Sequence, residues 1–331
     1  MLFVDNQNIT NPQINLALEE YIVRNFDAEE DYLLFYINSP SLIIGKHQNT
    51  IEEINPDYVK ENNINVVRRI SGGGTVYHDL GNLNFSFLTR YDTSKVNNFE
   101  QFTRPIVNAL QKLGVPAEMT GRNDIVAEGR KISGNAQFST TKKMFSHGTL
   151  LFNSEIDSIV SALQVKADKI ESKGIKSVRS RVANISEFLK EPLTMEQFKA
   201  YLLEQIFQTT LDKIPKALLT EQDWKAIEEL SKQKYQTWEW NYGRSPEFDI
   251  QRVNRFDFGQ IDARMQVKEG SIIQIKFYGD FLAHGDLSEV ENLLQGEKYE
   301  NKAIAEALES LDLSEYFGNI SAQNLANFLC D

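Results

Sequence analysis

The sequence predicts an α+β protein of two domains: a large one on a mixed, mainly antiparallel sheet flanked by helices, and a small α+β domain behind it. Three observations lead there. The 331 residues exceed what one core usually holds, since cores stop growing at roughly 250–300 residues. Strand-like and helical segments follow one another without the regular alternation of a parallel α/β fold. A mostly helical stretch, 154–239, then separates the first run of strands from a late hairpin followed by helices.

The elements follow in order. Residues 12–25 form a helix with Asn11 as cap, Pro12 in the first turn, and Ile14, Leu18, Tyr21 and Ile22 as its apolar stripe. The apolar runs 32–37 and 42–45, joined by Asn38-Ser39-Pro40-Ser41, read as two antiparallel strands around a turn. Asn55-Pro56 opens a short helix before a strand at 64–70. Leu83, Phe85 and Phe87 alternate with Asn84 and Ser86, as expected of a strand with one buried face. Phe99, Phe102, Ile106, Leu110 and Leu113 keep helical spacing up to Gly114. Strands are expected at 124–128, 131–135 and 144–152, and Thr194 and Gln197 are spaced as a capping box. A boundary falls near Gly243-Arg244-Ser245-Pro246, giving domains 1–245 and 246–331. Beyond it, 263–267 and 271–278 form a hairpin, with helices near 288–294 and 302–311.

Composition narrows the function. An apolar fraction of 41% and a charged fraction of 25% describe an ordinary globular chain. A net charge of -12 repels phosphate, so a nucleic-acid partner is not expected and any anionic substrate must be held locally. No basic segment leading into a long apolar one opens the sequence, and no run of about 18 apolar residues occurs. A cytoplasmic protein without membrane contact is expected. The single cysteine, Cys330, leaves no disulfide framework and no cysteine-based metal site.

Chemistry concentrates in a few segments. In Arg68-Arg69-Ile70-Ser71-Gly72-Gly73-Gly74-Thr75-Val76-Tyr77-His78, three glycines and two arginines follow a predicted strand. Glycine lets backbone N–H groups approach a phosphate, and arginine adds a charged fork. A bare triple glycine is equally a tight turn, and no Gly-Lys-Ser/Thr follows, so this is not a Walker A loop. The segment 121–137, GRNDIVAEGRKISGNAQ, sets Asn123 and Asp124 before one strand and Lys131 at the start of the next. A lysine there can stabilise charge moving through a transition state; as Arg130-Lys131 alone it is an ordinary solvated turn. His147 lies in an apolar strand, where histidine is often a hydrogen-bonded core residue. The stretch 166–181 carries six bases against two acids, either a clamp for a nucleotide or acidic partner, or a solvated segment.

The ordered set RRISGGGTVYHDLGN, GRNDIVAEGRKISGNAQ, HGTLLFN and KGIKSVRSRVANISEF, with WEWNYGRSPEF at 238–248, resembles the bacterial lipoate-protein ligase A family across essentially the whole chain. The resemblance implies a biotin/lipoate ligase-like large domain with a C-terminal accessory domain that changes position about a hinge at 242–246. It implies that lipoate is activated by ATP, with Mg2+, as an adenylate and passed to a lysine of an acceptor. By the same resemblance, ATP is bound by Arg69, Gly74, Thr75, Val76, Tyr77, Asn123, Asp124 and Lys131, with Asp124 the candidate for magnesium. Lipoate is bound by Ser71, Gly72, Gly73, His78, Lys131 and His147. Lys173, Ser177, Val178, Arg179 and Arg181 belong to a loop closing over the adenylate. Lys131 and Arg69 are the residues expected to carry catalysis.

Acceptors expected from the family are lipoyl domains of 2-oxoacid dehydrogenase complexes and the glycine-cleavage H protein, met by a monomeric enzyme. Octanoate is an expected analogue. Three alternatives stand beside this reading: an ATP-independent octanoyl or lipoyl transferase, for which Cys330 is badly placed as a thioester nucleophile; a biotin ligase, whose GRGRxx-type loop is missing; and a non-catalytic lipoate or adenylate binder.

Overall fold

The computed structural model describes all residues except 122, 164–179, 243–249, 269 and 331. The chain divides into two compact units: one holds 1–43, 52–68 and 76–241, and the other holds 44–51, 69–75 and 242–331.

The first unit is built on eight strands in the order β11-β1-β2-β6-β10-β9-β8-β7. They are β1 (Leu2–Asp5), β2 (Tyr32–Ile37), β6 (Asn82–Arg90), β7 (Ala117–Thr120), β8 (Asp124–Ala127), β9 (Arg130–Ser139), β10 (Lys143–Leu151) and β11 (Lys216–Ala217). Pairing is parallel at β11-β1-β2 and antiparallel from β2 onward, so the sheet is mixed and mainly antiparallel. Helices α1 (Pro12–Asn25), α2 (Pro56–Glu61), α3 (Phe99–Lys112), α4 (Ile156–Ala162), α5 (Met195–Phe207), α6 (Glu221–Leu230) and α7 (Trp238–Asn241) complete it. The core lies between Leu33, Phe35, Leu83, Phe85 and Phe87 of the sheet and Ile106, Leu110, Phe198 and Leu202 of α3 and α5.

The local signals read from the sequence hold. Asn11 Oδ1 caps α1 through the N–H groups of Gln13 and Ile14, Thr194 and Gln197 form the capping box of α5, and Gly114 turns out of α3 at φ +91°. Three expectations need correction. The runs 32–37 and 42–45 do not pair with each other. The second, β3 (Ser41–Ile44), joins a separate sheet between β4 (Asn65–Arg68) and β5 (Val76–His78), because the intervening Asn38 is tied to Asn15 and His78 and carries the chain away. Strand β6 is buried on both faces, with Asn84 and Ser86 as inaccessible as the phenylalanines, because α1 covers the second face. For the same reason α1 buries Asn15, Glu19 and Glu20, whereas Ile14 and Tyr21 are only half-buried.

The second unit contains an antiparallel meander, β12 (Ile250–Phe256), β13 (Gly259–Lys268) and β14 (Ser271–Gly279). The predicted hairpin is β13-β14, and β12 is an additional strand. Helices α8 (Leu287–Leu294), α9 (Asn301–Leu308) and α10 (Ala322–Cys330) pack with this sheet around Phe277, Phe281 and Phe317. The boundary expected at 245/246 lies outside the described residues.

Candidate functional site

In the first unit the chemistry gathers at the β8-β9 hairpin. Its two-residue turn, Glu128-Gly129, has φ +49° and +74°, the positive pair a tight hairpin with the right twist requires. A bulge where Ile125 opposes Ser133 and Val126 opposes Lys131 shifts the register and re-aims the side chains around it. The Lys131 ammonium lies 2.8 Å from the Asp124 carboxylate, both side chains being partly exposed. A Cβ built on Gly134 falls 3.0 Å from Lys131 Nζ, so the missing side chain at Gly134 is what leaves room for the ammonium. The backbone of Lys131 is fixed from a further segment: its N–H donates to Arg181 O at 2.7 Å, and Ala183 N–H donates to its carbonyl at 3.0 Å. Asn123 closes the approach to β8, its amide donating to Asn135 O while Asn135 donates back to Asn123 O.

The two candidate histidines occupy different polar networks. His147, on β10, faces α1 and receives both carboxylate oxygens of Glu19 at 3.0 Å on Nδ1. Since a carboxylate accepts, that nitrogen carries the proton and the ring is held in one orientation. Ser86 stands opposite His147 across the ladder, its buried hydroxyl without a hydrogen-bond partner among the described residues. His78, at the end of β5, accepts on Nδ1 from Asn38 Nδ2 at 3.0 Å. Asn38 in turn accepts from Asn15, which accepts from Asn6, so the ring proton of His78 sits on Nε2. Tyr77, paired with Leu42, is buried, and burial together with nearby Asp79 pushes its hydroxyl above the usual tyrosine range. Tyr77 and Asp79 line a cavity of about 640 Å³ with Tyr58, Phe152 and Ser158. The other arginine of the pair, Arg68, is structural. Its backbone N–H donates to Asn241 Oδ1 and its Nε to Trp240 O, while Trp240 Nε1 donates back to Arg68 O at 2.7 Å.

In the second unit the glycine loop is shaped from within. The Arg69 guanidinium donates to Ser71 Oγ at 3.0 Å, Gly72 O at 2.7 Å and Gly74 O at 2.8 Å, folding over the loop whose phosphate-binding power it was expected to supplement. The three glycines serve different ends. A Cβ on Gly72 meets the Phe281 carbonyl oxygen at 2.5 Å, Gly73 has φ +89°, and a Cβ on Gly74 meets nothing within 4 Å. The first two fix the backbone path; the third faces open space. Gly45 approaches Gly73 so closely that a Cβ there would lie 1.9 Å from its carbonyl oxygen, and Gln48 Oε1 accepts from Gly45 N and Thr75 Oγ1. His47 stacks on Phe281 at 5.3 Å. This Gly45-Lys46-His47-Gln48 segment and Glu19 are residues that sequence reasoning missed; the one available signal was a small polar cluster following an apolar strand.

Thus Lys131, Asp124, Asn123 and the Arg181 backbone come together in one unit, where His78 and His147 stand in separate networks. Arg69, Ser71, Gly72, Gly73, Gly74 and Thr75 come together in the other. Lys173, Ser177, Val178 and Arg179 lie outside the described residues, as does most of the hinge expected at 242–246. No group of three or more His, Cys, Asp or Glu among the described residues is placed to hold a metal.

A model of the lipoyl protein ligase A/B catalytic domain matches residues 11–207, and one of the bacterial lipoate protein ligase C-terminus matches 245–329. The chain belongs to the lipoate-protein ligase family. Within that family it is 58% identical to the lipoate-protein ligase LplJ of Bacillus subtilis over 330 residues, 99% of this chain and 100% of the relative. Among solved ligases, LipL1 of P. falciparum, in complex with lipoate, superposes with a TM-score of 0.77 at 27% identity over 94% of both chains. A lipoate-protein ligase A bound with ATP gives 0.59 at 30% identity, covering 70% of this chain and 94% of that one. No helix among the described residues is long and apolar enough to cross a membrane.

Proposed function

We propose that this ligase activates lipoate with ATP to lipoyl-adenylate and transfers the lipoyl group to a lysine of an acceptor lipoyl domain. The observation that carries the reading is the Lys131–Asp124 pair at 2.8 Å on a hairpin whose Gly134 leaves space for the ammonium, within the region matched by the catalytic-domain model. In the first step the lipoate carboxylate attacks the α-phosphorus of ATP and pyrophosphate leaves. In the second the acceptor amine attacks the mixed anhydride and AMP leaves. Neither step needs an enzyme nucleophile, so the protein's part is positioning and charge stabilisation.

Lys131 supplies the mobile cation, exchanging Asp124 for the substrate carboxylate and phosphate. Asn123, Val76 and Tyr77 complete the nucleotide site of the first unit. Gly74 and Thr75 bring backbone N–H groups to the phosphates, and Arg69, which also holds the loop, joins Lys131 in binding ATP and carrying catalysis. Ser71, Gly72, Gly73, His78 and His147 serve the lipoate side. The segment with Lys173, Ser177, Val178, Arg179 and Arg181 covers the adenylate. A single carboxylate, Asp124, suits magnesium, which takes one or two carboxylates and leaves its other positions to water and phosphate. When bound, magnesium neutralises the charge of the departing pyrophosphate.

We assign 1–245 as the catalytic domain and 246–331 as the accessory domain, and place the monomeric enzyme in the cytoplasm. Its acceptors are lipoyl domains of 2-oxoacid dehydrogenase complexes and the glycine-cleavage H protein. Octanoate replaces lipoate as a substrate because the tail is held by apolar burial, about 0.8 kcal/mol per methylene. Pyrophosphate release measured with ATP, magnesium and lipoate but no acceptor tests the activation step. Release that requires lipoate is expected, and none would leave a transferase or a binder.

A further inference from the structure

On the first unit, Lys199 of α5 stands where two pockets of about 260 Å³ each meet. One is walled by Phe3, Leu203 and Ile214, the other by Ile9, Ile37 and Met195, and both share Asn8, Glu196 and Lys199. Lys199 makes no hydrogen bond or ion pair among the described residues. The carboxylate that acts on it from β1, Asp5, lies 3.9 Å from the Lys216 ammonium instead. Burial, with Lys216 adding repulsion against the pull of Asp5, lowers the Lys199 pKa. A half-buried cation with no acceptor among the described residues, set between apolar side chains with only Asp5 and Glu196 as acidic neighbours in the lining, is an incomplete ion pair.

We infer that the Lys199 junction is a second, non-catalytic binding site for a medium-chain carboxylic acid, its carboxylate on Lys199 and its tail in one of the flanking pockets. The apolar walls select a tail over a bare anion. The chain's net charge of -12 gives no long-range attraction for anions, so a local ammonium must do the work. The inference goes beyond the ligase reading and uses a ligand of the same chemical class as its substrate.

Equilibrium dialysis of octanoate against the full chain tests it, with wild type, Lys199→Met and Lys199→Arg compared after thermal melts confirm that all three fold. Expected are two octanoates per wild-type chain, one site weakened at least ~10-fold in Lys199→Met as for loss of a charged hydrogen bond, and retention in Lys199→Arg. Lipoate-dependent pyrophosphate release should be unchanged in Lys199→Met. Equal stoichiometry and affinity in all three proteins would overturn the site, whatever the catalytic result. Loss of one site in a protein that releases no pyrophosphate would keep the site and remove the ligase reading.

Discussion

The ammonium of Lys131 rests 2.8 Å from the Asp124 carboxylate, and the position opposite them carries no side chain. A cation parked on a partly exposed carboxylate is weakly held, since pairs open to solvent contribute about 0–1 kcal/mol, and can move to a better anion. Lys131→Ala should therefore lower adenylation by at least ~100-fold, as for the loss of one preorganised transition-state donor. Near-wild-type pyrophosphate release by that variant would take Lys131 out of the mechanism.

Gly134 makes the same claim by a different route. Its Cβ position lies 3.0 Å from Lys131 Cε and Nζ, the flexible end of a side chain, so Gly134→Ala should fold with a melting temperature close to wild type. Turnover should nevertheless fall by ~10-fold or more, because the ammonium is pushed from its place. A stable variant with full activity would show that Lys131 acts from another position.

The glycine loop separates shape from binding. Gly72→Ala puts a methyl 2.5 Å from the Phe281 carbonyl oxygen and should destabilise by ~1–3 kcal/mol, the usual cost of overpacking, read by denaturant melts. Gly74→Ala, with nothing within 4 Å, should leave stability within ~0.5 kcal/mol and instead raise KM for ATP. Equal effects on both quantities at both positions would mean that the loop does not divide its labour in this way.

Much of this was legible in the chain because local chemistry wrote it. Asn11, Thr194 and Gly114 punctuate helices by capping and by left-handed φ, and such signals need no tertiary context. The strands at 124–128 and 131–135 were expected, but not the Glu128-Gly129 turn that pairs them as a hairpin. Pairing of β3 with β4 and β5 rather than with β2 was not, because hydrophobic runs do not name their partners. The buried second face of β6 and the Glu19–His147 contact, 128 positions apart in sequence, depend on where α1 lies. A carboxylate within INLALEEYIV looks like a solvent face until the helix is seen covering the sheet. That the Arg69 guanidinium also donates to Gly72 and Gly74 of its own loop was not legible, because a sequence does not show how a side chain folds back on its neighbours.

Lys143 offers a test of the sheet by pH. Buried beneath Tyr32, with Nζ 4.1 Å from the ring centroid and donating to Asp27 O at 2.6 Å, it has its pKa lowered by burial to about 8, against the opposing pull of Asp31, Asp27 and Glu30. Between about pH 8 and the ordinary value of 10.5, the unfolded chain binds a proton that the folded chain has released. Stability therefore rises with pH through that window on account of this group, and its burial cost is fully present below pH 8. Melts of wild type and Lys143→Met across pH 7–10.5 should show the wild type gaining relative to the variant. A constant difference would place the Lys143 pKa outside that window.

The intact mass of an apo lipoyl domain, incubated with this protein, magnesium and lipoate in the presence or absence of ATP, tests the central claim most directly. The account predicts a gain of one lipoyl group with ATP and none without. A gain in the ATP-free tube would contradict it in favour of a transferase.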